Sequence, residues 1–405
     1  MKGFIGKYFG NLGTLLKDNA YLYFLISGFL LFFVTIYIAI IYVVQSWYFF
    51  FLGAFIVLFL LTLAIQHILL MKKCYTLYIV RLILLVFIVT QAFGMIMSKQ
   101  GVSTKSGNFM DSYEYDKLMG FKSRPNMDTY HTLTLGEDTI FNAHYVTDSL
   151  GRRIAADADY VKTDSLLKPH KHALFFGCSF TFGEGLDYFS TFPYLFEKHN
   201  PDYQSYNYGL RGGGPHQFAL LFDNGINVIN KNTIKEPEGI AVYTFINDHL
   251  SRVFATTGYL QWAGNNIPDV CVENDSLVVK RVSGKKIFFS RVLNFVYLFK
   301  YMKLSTHYPQ TDEFYKRFAD IINYTAKKYK EVCPDGAFYV TAYPFPDDGI
   351  DLGWVKFLSP DIKFVEVEVP ADLEQNRDKY RIPHDNHPTE TMNEFFIEKI
   401  TPEIK

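Results

Sequence analysis

The sequence predicts an α/β fold, a parallel sheet covered on both faces by helices, preceded by three transmembrane α-helices. Two observations carry this. Short apolar segments alternate with amphipathic ones from Lys171 to the C-terminus, and three long runs almost free of charge crowd into the first quarter of a chain of 405 residues. Alternation of largely apolar strands with helices is the pattern of a sheet buried on both sides. The length exceeds one ordinary core. Three units are expected: a membrane anchor at 1–97, a linker with a partly β extension at 98–170, and an α/β domain at 171–405.

The first run, Tyr21 to Val44, has no charged residue, and Trp47 to Leu70 is interrupted only by Gln66 and His67. The third, Thr76 to Met97, carries Arg81 near its start, where the side chain reaches the headgroups. At about 1.5 Å per helical residue each run crosses a hydrocarbon core of about 30 Å. A cleavable signal peptide is not expected, because the first run exceeds a normal apolar region and no small-residue cleavage site follows it. Lys2, Lys7 and Lys17 precede the first run, and Lys72, Lys73 and Arg81 surround the second connection. By the positive-inside tendency the N-terminus is cytoplasmic and everything after Met97 lies outside, in the periplasm of a bacterial cell.

The net charge of -1 supplies no basic field for nucleic acid. Of four cysteines, Cys74 falls at the cytoplasmic membrane edge and Cys178 in a buried strand end. Cys271 and Cys333 are left either to form a disulfide or to stay as two buried thiols, and sequence does not choose.

Turn signals at Arg124-Pro125-Asn126 and Ser149-Leu150-Gly151, with short β-like stretches between, give the extension its partly β character. In the α/β domain, strands are expected at Ala173–Phe176, Gln204–Tyr208, Ile240–Ile246, Ala337–Ala342 and Ile362–Val369, the last at an edge because charges alternate along it. Helices are expected at Phe192–Lys198 with Thr191 as cap and Pro193 in the first turn, at Pro215–Ile229, at Asp312–Val332 and at Thr389–Ile400 with Thr389 as cap. Between Ser251 and Ser290 the rhythm fails. Tyr259, Trp262 and Ser283-Gly284 suggest a β-rich insertion, either a wall of the substrate cleft or a solvated hairpin.

The chemistry concentrates in Phe175-Phe176-Gly177-Cys178-Ser179-Phe180-Thr181-Phe182-Gly183 and in Asp385-Asn386-His387-Pro388. A serine hydroxyl is a poor nucleophile until a base takes its proton. Ser179 follows a buried strand, where a strand-to-helix turn exposes its oxygen. Asp385 and His387, alternate residues of an extended segment, point the same way, so the carboxylate orients the ring and the ring takes the serine proton. His384 is a rival base, but its side chain diverges from that of Asp385. An oxyanion also needs preset donors. The backbone N–H of Ser179, a backbone N–H from Gly212 in Asn207–Gly214, and the side-chain amide of Asn247 converge at the C-terminal ends of parallel strands. Cys178 is a small core thiol rather than a nucleophile. His384 and His387 lack the further ligands a metal needs, so no metal or organic cofactor is expected.

Together GCSFTFG, YNYGLRGG, FIND and DNHP resemble the blocks of the SGNH/GDSL hydrolase family, over Lys171 to Lys405. Met119-Gly120-Phe121 and Thr147–Gly151 are similar to an extension that precedes the nucleophile in some members. The resemblance implies a flavodoxin-like three-layer sandwich, a triad of Ser179, His387 and Asp385, and an oxyanion hole from Ser179, Gly212 and Asn247. The sequence departs from the family pattern at Cys178, where aspartate is common, and at Phe245, where glycine often stands. The function expected is a membrane-anchored extracytoplasmic esterase working through an acyl-enzyme, with O-acyl groups of envelope glycans as one substrate class. Its partners are then an ester substrate, the lipid bilayer and a membrane protein that supplies acyl groups. The alternatives are glycan O-acyltransfer and a catalytically silent glycan-binding or scaffold domain.

Overall fold

The computed structural model describes residues 59, 82–89, 104–106, 112–156, 170–222, 228–264, 266–295, 304–344 and 349–404. The chain forms two compact units, one of residues 1–101 with 292–304 and one of residues 102–291 with 305–405. In the first, residues 82–89 are helical and expose Leu82, Ile83, Val86 and Val89. Among the described residues no helix is long and apolar enough to cross a membrane; the three apolar runs lie almost wholly outside the described residues.

The second unit is built on a nine-stranded sheet in the order β1-β4-β5-β6-β8-β7-β9-β12-β13. Five strands are parallel: β7 (Lys171–Gly177), β8 (Tyr203–Gly209), β9 (Glu238–Phe245), β12 (Ala337–Ala342) and β13 (Ile362–Glu366). The first of these in sequence lies between the second and the third, the order of flavodoxin-like sheets. Chain direction across the sheet reverses at β7, so a crevice opens beyond its C-terminal end.

Period-two alternation explains why these strands sit at the centre. On β7, Leu174 and Phe176 face one core while Ala173 and Phe175 face the other. On β9, Ala241, Tyr243 and Phe245 oppose Ile240 and Val242 in the same way. The helices that cover the two faces are these. α1 (Ser179–Phe182) is a single turn following β7, and α2 (Phe192–His199) and the C-terminal α9 (Glu390–Ile400) cover one face. α3 (Pro215–Leu220) and α7 (Asp312–Val332) cover the other. Between α3 and α7 in sequence lie α4 (Asp248–Phe254), α5 (Thr257–Ala263) and α6 (Gly284–Phe295), and α8 (Arg377–Tyr380) lies between α7 and α9.

Residues 104–154 continue the sheet beyond β8 with antiparallel strands. These are β1 (Thr104–Ser106), β4 (Asp128–Leu135), β5 (Asp138–Thr147) and β6 (Arg153–Ile154), while β2 (Tyr113–Asp116) and β3 (Gly120–Ser123) form a separate hairpin. Leu133, Phe141, Ala143 and Tyr145 bury against Phe182 and Ile382. The extension is thereby packed on the turn that carries Ser179.

Several expected elements differ. The helix from Pro215 ends at Leu220, and residues 223–227 lie outside the described residues. Ile362–Val369 shortens to Ile362–Glu366 at the sheet edge. Thr191 stands at the N-cap of α2, yet its hydroxyl donates to Tyr188 O at 2.8 Å instead of capping the helix. Only Pro268–Arg281 of the 251–290 stretch is β, as the hairpin of β10 (Pro268–Glu273) and β11 (Ser276–Arg281). Tyr259 and Trp262 are on α5, and Ser283-Gly284 opens α6. Aromatic composition suggested strand there, but burial of Tyr259 and Leu260 against Ile267 and Val282 selects helix. Cys271 and Cys333 remain thiols, bonded separately to Glu273 Oε1 and Pro237 O, each at 3.3 Å.

Burial holds three histidines neutral. His172 bridges Glu236 O and Tyr329 Oη and is lowered by desolvation. Desolvation lowers His216 to about 3, and neither of its ring nitrogens has a partner among the described residues. His249, bonded to Tyr243 Oη at 2.6 Å, is lowered far below the ordinary imidazole range by the same cause. Each is depressed when folded, so the unfolded chain binds more protons below about pH 6.5 and stability falls as pH falls. His216 and His249 together are expected to cost about 3 kcal/mol between pH 7.5 and 5.5. Urea unfolding at the two pH values checks this, and His216→Gln should flatten the dependence by about half.

Candidate functional site

Strand β7 is apolar to its end because both faces are covered, and Gly177 breaks it where a Cβ would strike Thr181 Oγ1. The chain then turns directly into α1, whose first residue is Ser179. Its side chain is almost enclosed, 9 % exposed. At the end of β8, Gly209 lies so close that a Cβ would meet the Phe182 backbone N at 2.2 Å, so glycine is required for the two turns to touch.

His387 Nε2 lies 2.8 Å from Ser179 Oγ, and its Nδ1 lies 2.5 Å from Asp385 Oδ2. The three residues that the sequence singles out as nucleophile, base and orienting acid are thus brought together. With Nδ1–H donating to the carboxylate, Nε2 carries the lone pair that accepts the serine proton. The local route differs from expectation: Asp385 and His387 belong to a turn. Ile382 O accepts from Asp385 N and Asn386 N, and His387 O accepts from Ile382 N at 2.8 Å. Asn386 stands at φ 64° and His384 at φ 61°. Thus carboxylate and ring meet across a tight loop, while His384 is exposed. Phe180 sets its ring edge against the imidazole, with centroids 5.5 Å apart, and against Tyr343.

The donor loops follow the adjacent strand ends of β7, β8 and β9. Ser179 N–H, at the first position of a helix, has no intrahelical acceptor. Gly212 has φ +74° and its N–H has no acceptor among the described residues, while its carbonyl accepts from Tyr259 Oη at 3.1 Å. Leu210 N donates to Gly177 O, which ties this loop to the end of β7. Trp262, 51 % exposed, lies against Gly212 and is stacked on Tyr259. Asn247 is partly committed. Its Nδ2 donates to Gly349 O at 2.7 Å and its Oδ1 accepts from Asp351 N at 2.9 Å, so one Nδ2 hydrogen is left for a ligand.

The two departures from the family pattern turn away from the crevice. Cys178 is buried at 1 % beside Arg252, and Phe245 packs into the core on Trp354 at 4.8 Å. Among the described residues no cluster of three metal-ligating side chains occurs.

Sequence reasoning missed a buried ionic frame around Ser179. Arg211, directly before Gly212, pairs with Glu184 at 3.2 Å, both side chains 3 % exposed. Glu184 N in turn donates to Ser179 O at 2.9 Å. Burial is the largest influence on Arg211 and opposes its charge, but Glu184, Tyr113 and Tyr145 together outweigh it and hold the guanidinium above its ordinary value. His131, held by Ser112 Oγ at 2.7 Å, approaches Arg211 from the extension. Arg153 donates to Phe182 O, Gly183 O and Leu186 O, the carbonyls of the nucleophile turn. Burial lowers its guanidinium to about 10, still a cation at neutral pH. The only signal in the sequence was a lone charge flanked by glycine and apolar residues at Glu184 and at Arg211.

No protein-family model matches the chain, and no curated protein matches it. Similar solved structures include an acetyl xylan esterase from the rumen bacterium Butyrivibrio proteoclasticus, 9% identical over 57% of this chain with a TM-score of 0.32. This chain covers 64% of the length of that one. They also include a lipolytic protein of the G-D-S-L family from Veillonella parvula, 11% identical over 57% of this chain and 97% of that chain, with a TM-score of 0.32. A family two carbohydrate esterase from Clostridium thermocellum, in complex with cellohexaose, is 10% identical over 62% of this chain and 66% of that chain, with a TM-score of 0.34.

Proposed function

We propose that this chain is a serine hydrolase of ester bonds that works through an acyl-enzyme. The observation that carries the reading is the continuous relay Ser179 Oγ, His387 Nε2, His387 Nδ1, Asp385 Oδ2, at 2.8 and 2.5 Å, assembled from segments 208 residues apart in sequence. In the first half-reaction Ser179 Oγ attacks the ester carbonyl as His387 takes its proton. The tetrahedral oxyanion is met by the N–H groups of Ser179 and Gly212, with the remaining Asn247 hydrogen as third donor. Collapse breaks the ester C–O bond, and the proton on His387 goes to the departing alkoxide. Water then enters, His387 takes its proton, and the acyl group leaves as a carboxylic acid while the proton returns to Ser179. Asp385 keeps the ring in the required tautomer throughout.

The substrate class we favour is O-acylated glycan. A half-exposed indole against the oxyanion loop offers a flat apolar face, which suits the C–H face of a sugar ring. The three apolar runs, almost wholly outside the described residues, would anchor residues 1–97 in the cytoplasmic membrane with the hydrolase outside. A sugar hydroxyl in place of water would turn the same acyl-enzyme to transfer.

The test is labelling of the full-length protein in intact cells with a membrane-impermeant fluorophosphonate. Wild type is expected to label and Ser179→Ala is not, with acid released from acetylated glycan by the purified wild type alone. A folded wild type that does not label, or labelling that persists in Ser179→Ala, would overturn the reading. Acyl product on an added sugar rather than free acid would assign transfer.

A further inference from the structure

Helix α6 buries one stripe and leaves another bare. Its inward positions are Ile287 and Ser290, spaced by three, with Ser290 Oγ donating to Thr257 O at 3.0 Å. Lys286 folds inward too, its Nζ donating to Phe254 O at 2.7 Å. On the opposite face stand Lys285, Phe288 and Phe289, with exposed Arg291 alongside. Phe288 is 69 % exposed and Phe289 48 %. Two adjacent phenylalanines presented to solvent from a regular helix are unusual for a surface that meets only water.

The chain on either side says what covers them. Residues 292–304, VLNFVYLFKYMKL, contain no acidic residue and only Lys300 and Lys303 as charges. They group in one compact unit with residues 1–101, the region of the three apolar runs. From Lys280 to Lys303 there is no acidic residue at all, while Lys280, Arg281, Lys285, Lys286, Arg291, Lys300 and Lys303 are cationic. A helix with bulky aromatics on one face, cations at its flanks and no anions has the makeup of one that lies in the interface of an anionic bilayer, rings in the acyl boundary and lysines among the headgroups.

We infer that the Lys285, Phe288 and Phe289 face of α6 rests in the headgroup layer of an anionic lipid surface. The occupant is lipid, and the contact stands independently of the hydrolase reading. It adds a second membrane contact, made by the unit that carries Ser179, to the anchor proposed for residues 1–97.

The test places photoreactive benzoylphenylalanine at position 288 or 289 of the full chain, in nanodiscs containing phosphatidylglycerol. Tyr130, 57 % exposed on β4, serves as control position. Mass spectrometry after irradiation is expected to find lipid adducts at 288 and 289 at least fivefold above position 130. Pure phosphatidylcholine, or Lys285→Glu with Arg291→Glu, should lower the yield at least threefold. Yields at 288 and 289 no greater than at 130, or adducts only to a second copy of the chain, would overturn the inference. Fluorophosphonate labelling of the same samples reports the hydrolase separately.

Discussion

Ser179→Ala and His387→Ala, each alone, are expected to lower kcat on an ester substrate by about 10⁵ to 10⁶-fold, which is about 7–8 kcal/mol of transition-state stabilisation. The size follows from the geometry. Ser179 Oγ and His387 Nε2 share one proton at 2.8 Å, so removing either group abolishes the same event. The double variant should therefore be no slower than either single one. Asp385→Asn should cost about 10⁴-fold, because an amide no longer fixes the tautomer or steadies the imidazolium. Single-turnover kinetics on protein matched for unfolding midpoint provide the check. Multiplicative losses in the double variant, or near-normal turnover by His387→Ala, would contradict a shared relay.

Breaking the buried Arg211–Glu184 pair is expected to cost about 3–5 kcal/mol of folding stability. Arg211→Met leaves a carboxylate, and Glu184→Gln a guanidinium, at a site where each side chain is 3 % exposed. Removing both charges together, as Arg211→Met with Glu184→Leu, should restore most of the loss, since two apolar side chains require no compensation. For a unit of this size the single variants should melt about 10 °C lower. Activity should fall as well in the single variants. Glu184 N holds the Ser179 carbonyl and Arg211 precedes Gly212, so the pair links the nucleophile turn to the oxyanion loop. Calorimetry of the four proteins decides this, and a double variant as unstable as the worse single one would rule out the uncompensated charge as cause.

The central sheet was legible because Phe175, Phe176, Val242 and Val340 sit on strands buried on both faces, where composition alone dictates the element. Asp312–Val332 was equally readable, since a long amphipathic helix repeats its signal many times. Tyr259 and Trp262 misled, because aromatic residues favour strand only until a helix buries one of them better. At the site, the residue types of the relay were readable, but the route between Asp385 and His387 was not. An extended pair and a tight turn both bring a carboxylate to a ring two residues away, and only the left-handed Asn386 and His384 distinguish them. Asn247 announced a donor but not its prior engagement with Gly349 and Asp351. Glu184 and Arg211 each showed only as a lone charge in its block, and their pairing was not readable because two loops 27 residues apart meet to make it beside His131 of the extension.

The hydroxyl and the imidazole that touch at Ser179 and His387 are separated by 208 positions of chain. At ribosomal speeds of about 5–20 residues per second, roughly 10–40 s pass between their syntheses. During that interval the serine is an ordinary alcohol, indifferent to any acyl donor it meets. In the proposed mechanism reactivity is acquired only once residue 387 has been made and has folded back against Ser179, so a translation product interrupted before it is chemically silent however well its early strands have formed.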